Sequence, residues 1–257
     1  MMYTLLSGAS GFIGSGLLRK LLEDDKKVII LGRSASLMSA SVKEFEDAKK
    51  VIIIQVDFSE ESSVQKLWEE LGKYEIDTFI SAAAVDSTSL VTDVSSSEIR
   101  TLFDTNVITP MKIISYLVRQ WKKLLIRGRI IQISSITAER GSAGSSIYGA
   151  TKAAMDSFIV NVAIESAEYG IIANSIVVAA TGSRLIGYRE KPRIPEQEQL
   201  YDMRSIPTGR IVQVESIWNM IKILTQTKDI TGQVIHIDGG LSVKYPQYKK
   251  EIYNDLL

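Results

Sequence analysis

The chain has 257 residues, of which 45% are apolar, and its 30 basic residues balance its 30 acidic residues. A chain of this length can bury a core without disulfides or metal, and its balanced charge gives no reason to expect nucleic acid or a membrane surface as an obligate partner. It has no Cys and one His, His236 in a strand pattern, which excludes thiolate nucleophiles, His-based triads and multi-His sites, so we expect no bound metal.

Short apolar runs alternate along the chain with longer helical patterns, which lie near 12–23, 60–71, 98–125, 148–169 and 213–226. Several of the apolar runs have no polar alternation, as in strands that are covered on both faces. The alternation predicts an α/β fold with a doubly wound parallel sheet and helices on both faces, in one domain over residues 1–257. The strand candidates are Tyr3–Ser7, Val28–Leu31, Val51–Val56, Thr78–Ser81, Arg129–Ser134, Ile171–Val178 and Val234–Ile237.

Two segments depart from this rhythm. Residues 181–210 contain three of the five prolines and many charges of both signs, and residues 241–257 form a polar tail. A long insertion without periodicity is usually a functional lid or a disordered loop, and we predict that 181–210 is a substrate lid. The tail is interpreted as either a subunit contact or a frayed end.

The beginning of the chain and its hydropathy bear on its location. Residues 1–4 lead directly into an apolar run, without the basic segment and cleavage site of a signal peptide. No apolar run approaches the roughly 18 residues that a membrane-spanning helix needs. We therefore expect a cytoplasmic protein without a membrane span.

A glycine-rich turn lies between the first strand and the first helix. Glycines let the backbone turn tightly and approach a pyrophosphate, whose charge meets the N–H groups at the start of the helix. The position of the turn favours a dinucleotide site over a merely structural turn, and it predicts a Rossmann-type sheet. The predicted cofactor-binding residues here are Gly8, Ser10, Gly11, Phe12, Ile13 and Gly14.

The ends of the next two strands bear on the choice of cofactor. An acid about 20 residues after the glycine turn would bind the ribose 2′-hydroxyl of NAD, but the second strand is followed by Arg33. Its guanidinium suits the 2′-phosphate of NADP(H), and the alternative is a solvated loop arginine. After the third strand, Asp57 with its neighbour Phe58 is predicted to contact the adenine. The alternative for Asp57 is an acid before the helix cap Ser59.

A Ser, a Tyr and a Lys form the candidate catalytic group. The fifth strand runs into Ser135, and Tyr148 and Lys152 follow at the four-residue spacing that places two side chains on one helix face. A phenol with a pKa near 10 transfers protons poorly at neutral pH, and a nearby ammonium and an oxidised nicotinamide both lower that pKa. The set therefore predicts acid–base chemistry at a carbonyl.

With these motifs the chain resembles the short-chain dehydrogenase/reductase family over nearly its whole length, and in particular its compact, ketoacyl-reductase-like branch. The glycine spacing is similar to that of the long-chain branch. The resemblance implies that Tyr148 gives a proton to the carbonyl, that Ser135 holds the carbonyl oxygen, and that Lys152 binds the nicotinamide ribose and lowers the pKa of Tyr148. It also implies that the main-chain carbonyl of Asn106 holds a water in a proton relay to Lys152.

Pro110 gives an independent reason to single out Asn106. A proline four residues later has no N–H, so the Asn106 carbonyl lacks its α-helical partner. A buried carbonyl in this position needs a water or another donor. A simple kinked helix is the alternative interpretation.

Some positions differ from the family pattern. The family's Asn-Asn-Ala-Gly after the fourth strand is replaced by Ser-Ala-Ala-Ala at 81–84, and its Pro-Gly after the sixth strand by Val-Ala at 178–179. Ser183 is the nearest match to the Thr that contacts the nicotinamide carboxamide. Ala82 and Ser183, with Tyr148 and Lys152, complete the predicted cofactor site.

The sequence thus predicts an oxidoreductase that transfers a hydride between NADP(H) and a carbonyl or alcohol, as a ketone reductase, with NAD(H) as the second choice. Its substrate would be a small molecule or a carrier-bound carbonyl. Two alternatives stay open: a nucleotide-sugar epimerase or dehydratase, and a non-catalytic cofactor-binding regulator. Compact members of the family are usually tetramers built by pairing the long helices that match 98–125 and 148–169, so we expect a homotetramer, with a dimer next.

Overall fold

The computed structural model describes residues 2–34, 50–181 and 206–244. Its seven strands are β1 Tyr3–Ser7, β2 Lys27–Gly32, β3 Val51–Gln55, β4 Ile76–Ser81, β5 Arg129–Ser135, β6 Ile172–Val178 and β7 Val234–Ile237. They form one parallel sheet in the order β3-β2-β1-β4-β5-β6-β7. The order runs outward from β1 in both directions, which confirms the predicted doubly wound sheet.

Helices connect the strands and cover both faces of the sheet. They are α1 Phe12–Glu23, α2 Glu61–Leu71, α3 Ser96–Phe103, α4 Thr109–Leu124, α5 Ser146–Ser166 and α6 Val214–Gln226. Apolar residues of α2, α4 and α5 pack on one face, and those of α1 and α6 pack on the other. None of the helices in the described ranges is long and apolar enough to cross a lipid bilayer.

The central strands supply side chains to two separate cores, because successive residues of a strand point to opposite faces. Leu5 and Ile29 pack on the side of α2, α4 and α5, whereas Leu6 and Ile30 pack on the side of α1 and α6. All four side chains are fully buried. Burial of each contributes about 1.5–3 kcal/mol. Two covered faces explain why these strands are apolar throughout.

The predicted helix over 98–125 is interrupted. Helix α3 ends at Phe103, a π-helical segment covers Asp104–Ile108, and α4 begins at Thr109. The N–H of Thr109 bonds to the carbonyl of Asp104, five residues earlier instead of four. Pro110 lies in the first turn of α4, where its missing N–H costs least. The wider turn before it therefore replaces the simple kink that was the alternative prediction.

The predicted lid and tail are described only in part. Residues 182–205 and 245–257 lie outside the described residues, and so does Ser183. The described residues on either side of 182–205 lie beside the sheet. Thr181 and Val212 form an isolated parallel β-bridge, and the N–H of Thr208 bonds to the carbonyl of Gly239 at 3.1 Å. These contacts hold the end of the predicted lid beside the turn that follows β7.

Candidate active site

The predicted site residues collect at one edge of the sheet. Strands β1 and β4 are neighbours, and the strand order runs from β1 toward β2 on one side and from β4 toward β5 on the other. In such sheets, ligands bind outside the carboxyl ends of the strands, at the point where the order reverses. The glycine turn follows β1, Ala82 follows β4, and Ser135 ends β5 at this edge.

The turn after β1 brings three stretches of backbone into contact. Gly8 has a φ of +78°, and a Cβ added there would lie 2.6 Å from the main-chain nitrogen of Ala83. A Cβ on Gly14 would lie 2.0 Å from the carbonyl oxygen of Gly8. Both positions therefore require glycine. The end of β1, the start of α1 and the loop after β4 are packed backbone to backbone.

The start of α1 has the features of an anion site. Ser10, Gly11 and Phe12 are exposed, and no side chain of the described residues caps the helix at Gly11. The first N–H groups of a helix have no intrahelical partner, and they carry a partial positive charge. The glycine turn and this helix start therefore fit the pyrophosphate of a dinucleotide.

Ser7 was not among the predicted site residues. It is fully buried at the end of β1, and its hydroxyl oxygen accepts hydrogen bonds from the N–H groups of Ala82 and Ala83, both at 3.2 Å. Ser7 thereby anchors the loop after β4, where Ser81 and Ala82 stand in place of the two asparagines of the family pattern. The signal that could have identified it is a polar residue closing an apolar strand directly before the glycine turn.

Arg33 and Asp57 follow two adjacent strands. Arg33 is exposed after β2, and its main-chain carbonyl accepts a hydrogen bond of 2.9 Å from Nε2 of Gln55. The carboxylate of Asp57 turns back on its own loop, where Oδ1 accepts bonds from the N–H and the hydroxyl of Ser59 at 2.9 and 2.7 Å. Phe58 is buried in the core. Asp57 and Phe58 thus have structural roles, and their contact with adenine stays a prediction.

The three predicted catalytic side chains come together beside the end of β5. Tyr148 and Lys152 share a face of α5, with the Lys152 Nζ 5.5 Å from the centre of the Tyr148 ring. This Nζ donates a hydrogen bond of 2.9 Å to the carbonyl of Ile133. The Ser135 Oγ accepts bonds from the N–H and the hydroxyl of Thr137 at 3.3 and 2.9 Å, so it retains its own proton for donation.

A close contact explains how α5 approaches the strand end. A Cβ on Gly149 would lie 2.5 Å from the carbonyl oxygen of Thr137, in the 3₁₀ turn that follows Ser135. Only glycine lets the helix come this near. Because Gly149 directly follows Tyr148, the contact places the phenol close to Ser135. Gly149 was missed by sequence reasoning, although a glycine inside an apolar helix is a recognisable signal.

Burial dominates the protonation of the site. Tyr148 and Lys152 are only 8% and 3% exposed. Burial and the charge of Asp86 raise the pKa of Tyr148 above its usual value, and hydrogen bonding to Ser135 acts in the opposite direction. Burial lowers the pKa of Lys152 to about 8, against the attraction of Asp156 and Asp86. Burial thus acts against the lowering of the Tyr148 pKa that Lys152 was predicted to cause, and that lowering stays a prediction.

Asn106 is held in the π-helical segment next to α5. Its buried side chain donates from Nδ2 to the carbonyl of Val85 at 2.8 Å and to Oγ1 of Thr151 at 3.1 Å, and Oδ1 accepts from the N–H of Val85 at 2.8 Å. The side chain thus joins the loop after β4 to α5, a role that was not predicted. The predicted role of its main-chain carbonyl, which Pro110 leaves without an α-helical partner, stays a prediction.

The single His takes part in a contact outside the catalytic group. Nε2 of His236 in β7 lies 2.9 Å from Oε2 of Glu139, in the loop after β5. This contact agrees with the structural role that the strand pattern indicated for His236. In the part of the chain that the structure describes, no cluster of His, Asp and Glu could hold a metal ion.

Known proteins with similar sequences agree with this geometry. A family model described as short chain dehydrogenase matches residues 3–193. The chain is 27% identical over 246 residues to carbonyl reductase family member 4 of Xenopus tropicalis, which covers 92% of this chain and 96% of that protein. It is also 27% identical over 242 residues to the 3-oxoacyl-(acyl-carrier-protein) reductase FabG of Rickettsia bellii, covering 92% and 95% of the two chains.

Solved structures have the same fold. An oxidoreductase of the short-chain dehydrogenase/reductase family from Burkholderia thailandensis matches with a TM-score of 0.86 and 22% identity, covering 99% of this chain and 98% of that chain. ElxO with NADP bound matches at 0.81 and 24%, covering 95% and 100%. A 4-hydroxyisoleucine dehydrogenase complexed with NADH matches at 0.84 and 21%, covering 95% and 100%. These likenesses support the doubly wound fold.

The lowered pKa of Lys152 predicts how stability depends on pH. Between pH 8 and 10.5 the unfolded Lys152 binds a proton that the folded one has lost, so unfolding becomes less favourable as pH rises. Relative to Lys152→Met, the free energy of unfolding of the wild type should rise by about 3 kcal/mol across this window and stay level below it. Urea titrations of both proteins at several pH values measure this, and a difference that does not vary with pH would contradict it.

Proposed function

Since the chain belongs to the short-chain dehydrogenase/reductase family, whose model matches residues 3–193, we propose that it acts as an NADP(H)-dependent ketone reductase. The observation that carries the proposal is the convergence of Ser135, Tyr148 and Lys152 at the end of β5, with the glycine turn at the same edge of the sheet. The match to a carbonyl reductase and to a 3-oxoacyl reductase supports the direction of reduction.

The cofactor site is built from main-chain groups and one cation. NADP(H), when bound, supplies or accepts the hydride. The N–H groups at the start of α1 would hold its pyrophosphate, and Gly8 and Gly14 let the turn after β1 pack against the loop after β4 and the start of α1. Arg33 lies after β2, which ends without a carboxylate, and its guanidinium binds the 2′-phosphate. Ala82 and Ser183 are assigned to the nicotinamide half.

Tyr148 acts as the proton donor when the carbonyl is reduced. Its raised pKa keeps the phenol protonated at neutral pH, so the proton is in place before the hydride arrives. Ser135 donates its hydroxyl hydrogen to the same carbonyl oxygen and fixes its position. Lys152 binds the nicotinamide ribose, and its ammonium stabilises the phenolate that remains after proton transfer. The main-chain carbonyl of Asn106 holds the water that returns a proton toward Lys152.

The substrate is a ketone on a small molecule or on a carrier, since one relative is named a carbonyl reductase and the other a 3-oxoacyl-(acyl-carrier-protein) reductase. A nucleotide-sugar epimerase is not favoured, because the two curated relatives described above match nearly the full length and are named reductases. A non-catalytic regulator would have no need for the catalytic Ser, Tyr and Lys that this chain retains. A single-turnover assay with NADPH and a panel of ketones separates a reductase from a regulator.

The catalytic assignment predicts different effects at two positions. Tyr148→Phe should lower turnover at least ~10²-fold while leaving NADPH binding nearly unchanged, because only the proton donor is lost. Lys152→Ala should weaken both turnover and binding. Steady-state NADPH oxidation and nicotinamide fluorescence measure the two effects, with Tyr169→Phe as the control, since that phenol is exposed beyond the end of α5. Wild-type turnover in Tyr148→Phe would place the chemistry elsewhere.

The cofactor assignment predicts a preference that depends on Arg33. Hydrogen bonds to a charged group contribute roughly 1.5–3 kcal/mol each, so NADPH should bind at least ~10-fold more tightly than NADH. Arg33→Ala should remove most of this preference, and higher salt should reduce it, because Arg33 is exposed. Titration of both cofactors measures it, with Arg100→Ala in α3 as the control for overall charge. Equal affinities in the wild type would refute the NADP(H) assignment.

We also propose a homotetramer, because large apolar side chains are exposed on α5 and on the helical stretch from α3 to α4. Ile108 is 41% exposed and Ile164 is 75% exposed. Sedimentation velocity at micromolar concentration should show a four-chain species, and Ile164→Glu should shift it toward smaller species, since a charge opposes burial in an apolar contact. A monomeric wild type would show that these side chains face solvent in the working protein.

A further inference from the structure

The catalytic face of α5 carries one more titratable side chain. Tyr148, Lys152 and Asp156 follow one another at four-residue spacing, so the three share a face of the helix. Asp156 is only 8% exposed. The proposed reaction uses the first two and gives Asp156 no part. A buried carboxylate without a function would be costly, because burial disfavours its charged form.

The carboxylate of Asp156 has one firm partner. The hydroxyl of Ser134 in β5 donates to Oδ2 at 2.6 Å, a length typical of a hydroxyl bonded to an ionised carboxylate. Oδ1 is buried, and the hydroxyl of Ser175 in β6 lies near enough to favour the ionised carboxylate, although the two atoms do not meet the geometry of a full hydrogen bond. Ser134 directly precedes Ser135, so Asp156 is tied to the strand end that carries the catalytic serine.

The carboxylate of Asp156 and the ammonium of Lys152 attract each other, and each favours the charged form of the other. The Nζ of Lys152 donates a hydrogen bond to the carbonyl of Ile133, which is neutral. The carboxylates that favour its protonated form are Asp156 from its own helix and Asp86 from the loop after β4. Tyr148 presents its ring at 5.5 Å. Glu139, in the loop after β5, acts on Asp156 and not on this ammonium.

We propose that Asp156 is a positioning residue for catalysis, whose buried carboxylate, held by Ser134, keeps Lys152 protonated. The proposal rests on the proposed function only for its consequence in catalysis. A buried lysine without a nearby carboxylate loses its proton at lower pH, and it then neither attracts the cofactor ribose nor stabilises the phenolate of Tyr148. Asp156 therefore sets the upper pH at which the catalytic group works.

The first test needs neither cofactor nor turnover. In protein labelled with ¹³C at lysine Cε, the signal of Lys152 is identified by its loss in Lys152→Met, and its titration is followed by NMR. Asp156→Asn should lower the midpoint of Lys152 by about one pH unit, since an opposite charge on the same helix face favours the protonated ammonium. Asp156→Glu, which keeps the charge, should restore most of the shift.

The matched control is Asp104→Asn. Asp104 is half-buried in the π-helical segment, and it is not among the charges that act on the pKa of Lys152. This variant should leave the Lys152 midpoint at the wild-type value. A merely structural role for Asp156 would lower the melting temperature of Asp156→Asn without moving the Lys152 midpoint, and that result would overturn the proposal.

The second test carries the inference to catalysis. The upper limb of the pH profile of kcat/KM for ketone reduction should move down by about the same pH unit in Asp156→Asn, and the affinity for NADPH should fall over the same range. An unmoved limb alongside a moved NMR midpoint would overturn the role in catalysis. If the wild type binds no dinucleotide at all, the proposed function fails, while the NMR titration still decides whether Asp156 controls Lys152.

Asp156→Ser decides the matter if Asp156→Asn does not fold. It removes the charge but keeps a small polar group beside Ser134, so it should lower the Lys152 midpoint by about the same pH unit. An unchanged midpoint in Asp156→Ser would then overturn the proposal.

Discussion

The close approach of main chain to main chain at the turn after β1 is the constraint on which the site depends. Gly8 meets Ala83, and Gly14 meets Gly8, at distances that leave no room for a Cβ. Because nothing separates these segments, α1 starts at the edge of the sheet with its first N–H groups directed at the space where ligands bind. Ser7 closes the arrangement from within β1 by accepting bonds from the loop after β4.

A second set of contacts brings α5, which carries Tyr148 and Lys152, to this edge of the sheet. Gly149 lets α5 approach the turn after β5, and the side chain of Asn106 ties α5 to the loop after β4 through Thr151 and Val85. The π-helical segment that carries Asn106 exists where Pro110 cannot donate a hydrogen bond. A break in helical regularity thus lies beside the candidate active site, where such breaks are frequent.

Burial is the main influence on the protonation of Tyr148 and Lys152. A phenol and an ammonium that are almost fully buried favour their neutral forms, so Tyr148 keeps its proton and Lys152 loses its proton more readily than an exposed lysine. Carboxylates on two sides offset this for Lys152, and one of them, Asp156, is itself raised in pKa by burial. The protonation of the site is therefore a property of the whole group, which includes residues that never meet the substrate.

The sequence by itself determined the succession of strands and helices, the glycine turn, and the set of Ser135, Tyr148 and Lys152. These features depend on apolar runs and on residues a few positions apart, and local spacing along the chain records both. It did not reveal the roles of Ser7, Gly149 and Asp156, whose partners lie on other elements, nor the π-helical break inside the predicted helix. It also left out the effect of burial on the pKa of Tyr148, because a neighbour at four residues is visible in the sequence whereas burial is not. Only the tertiary structure decides which groups lose contact with water, and for Tyr148 that loss raises the pKa.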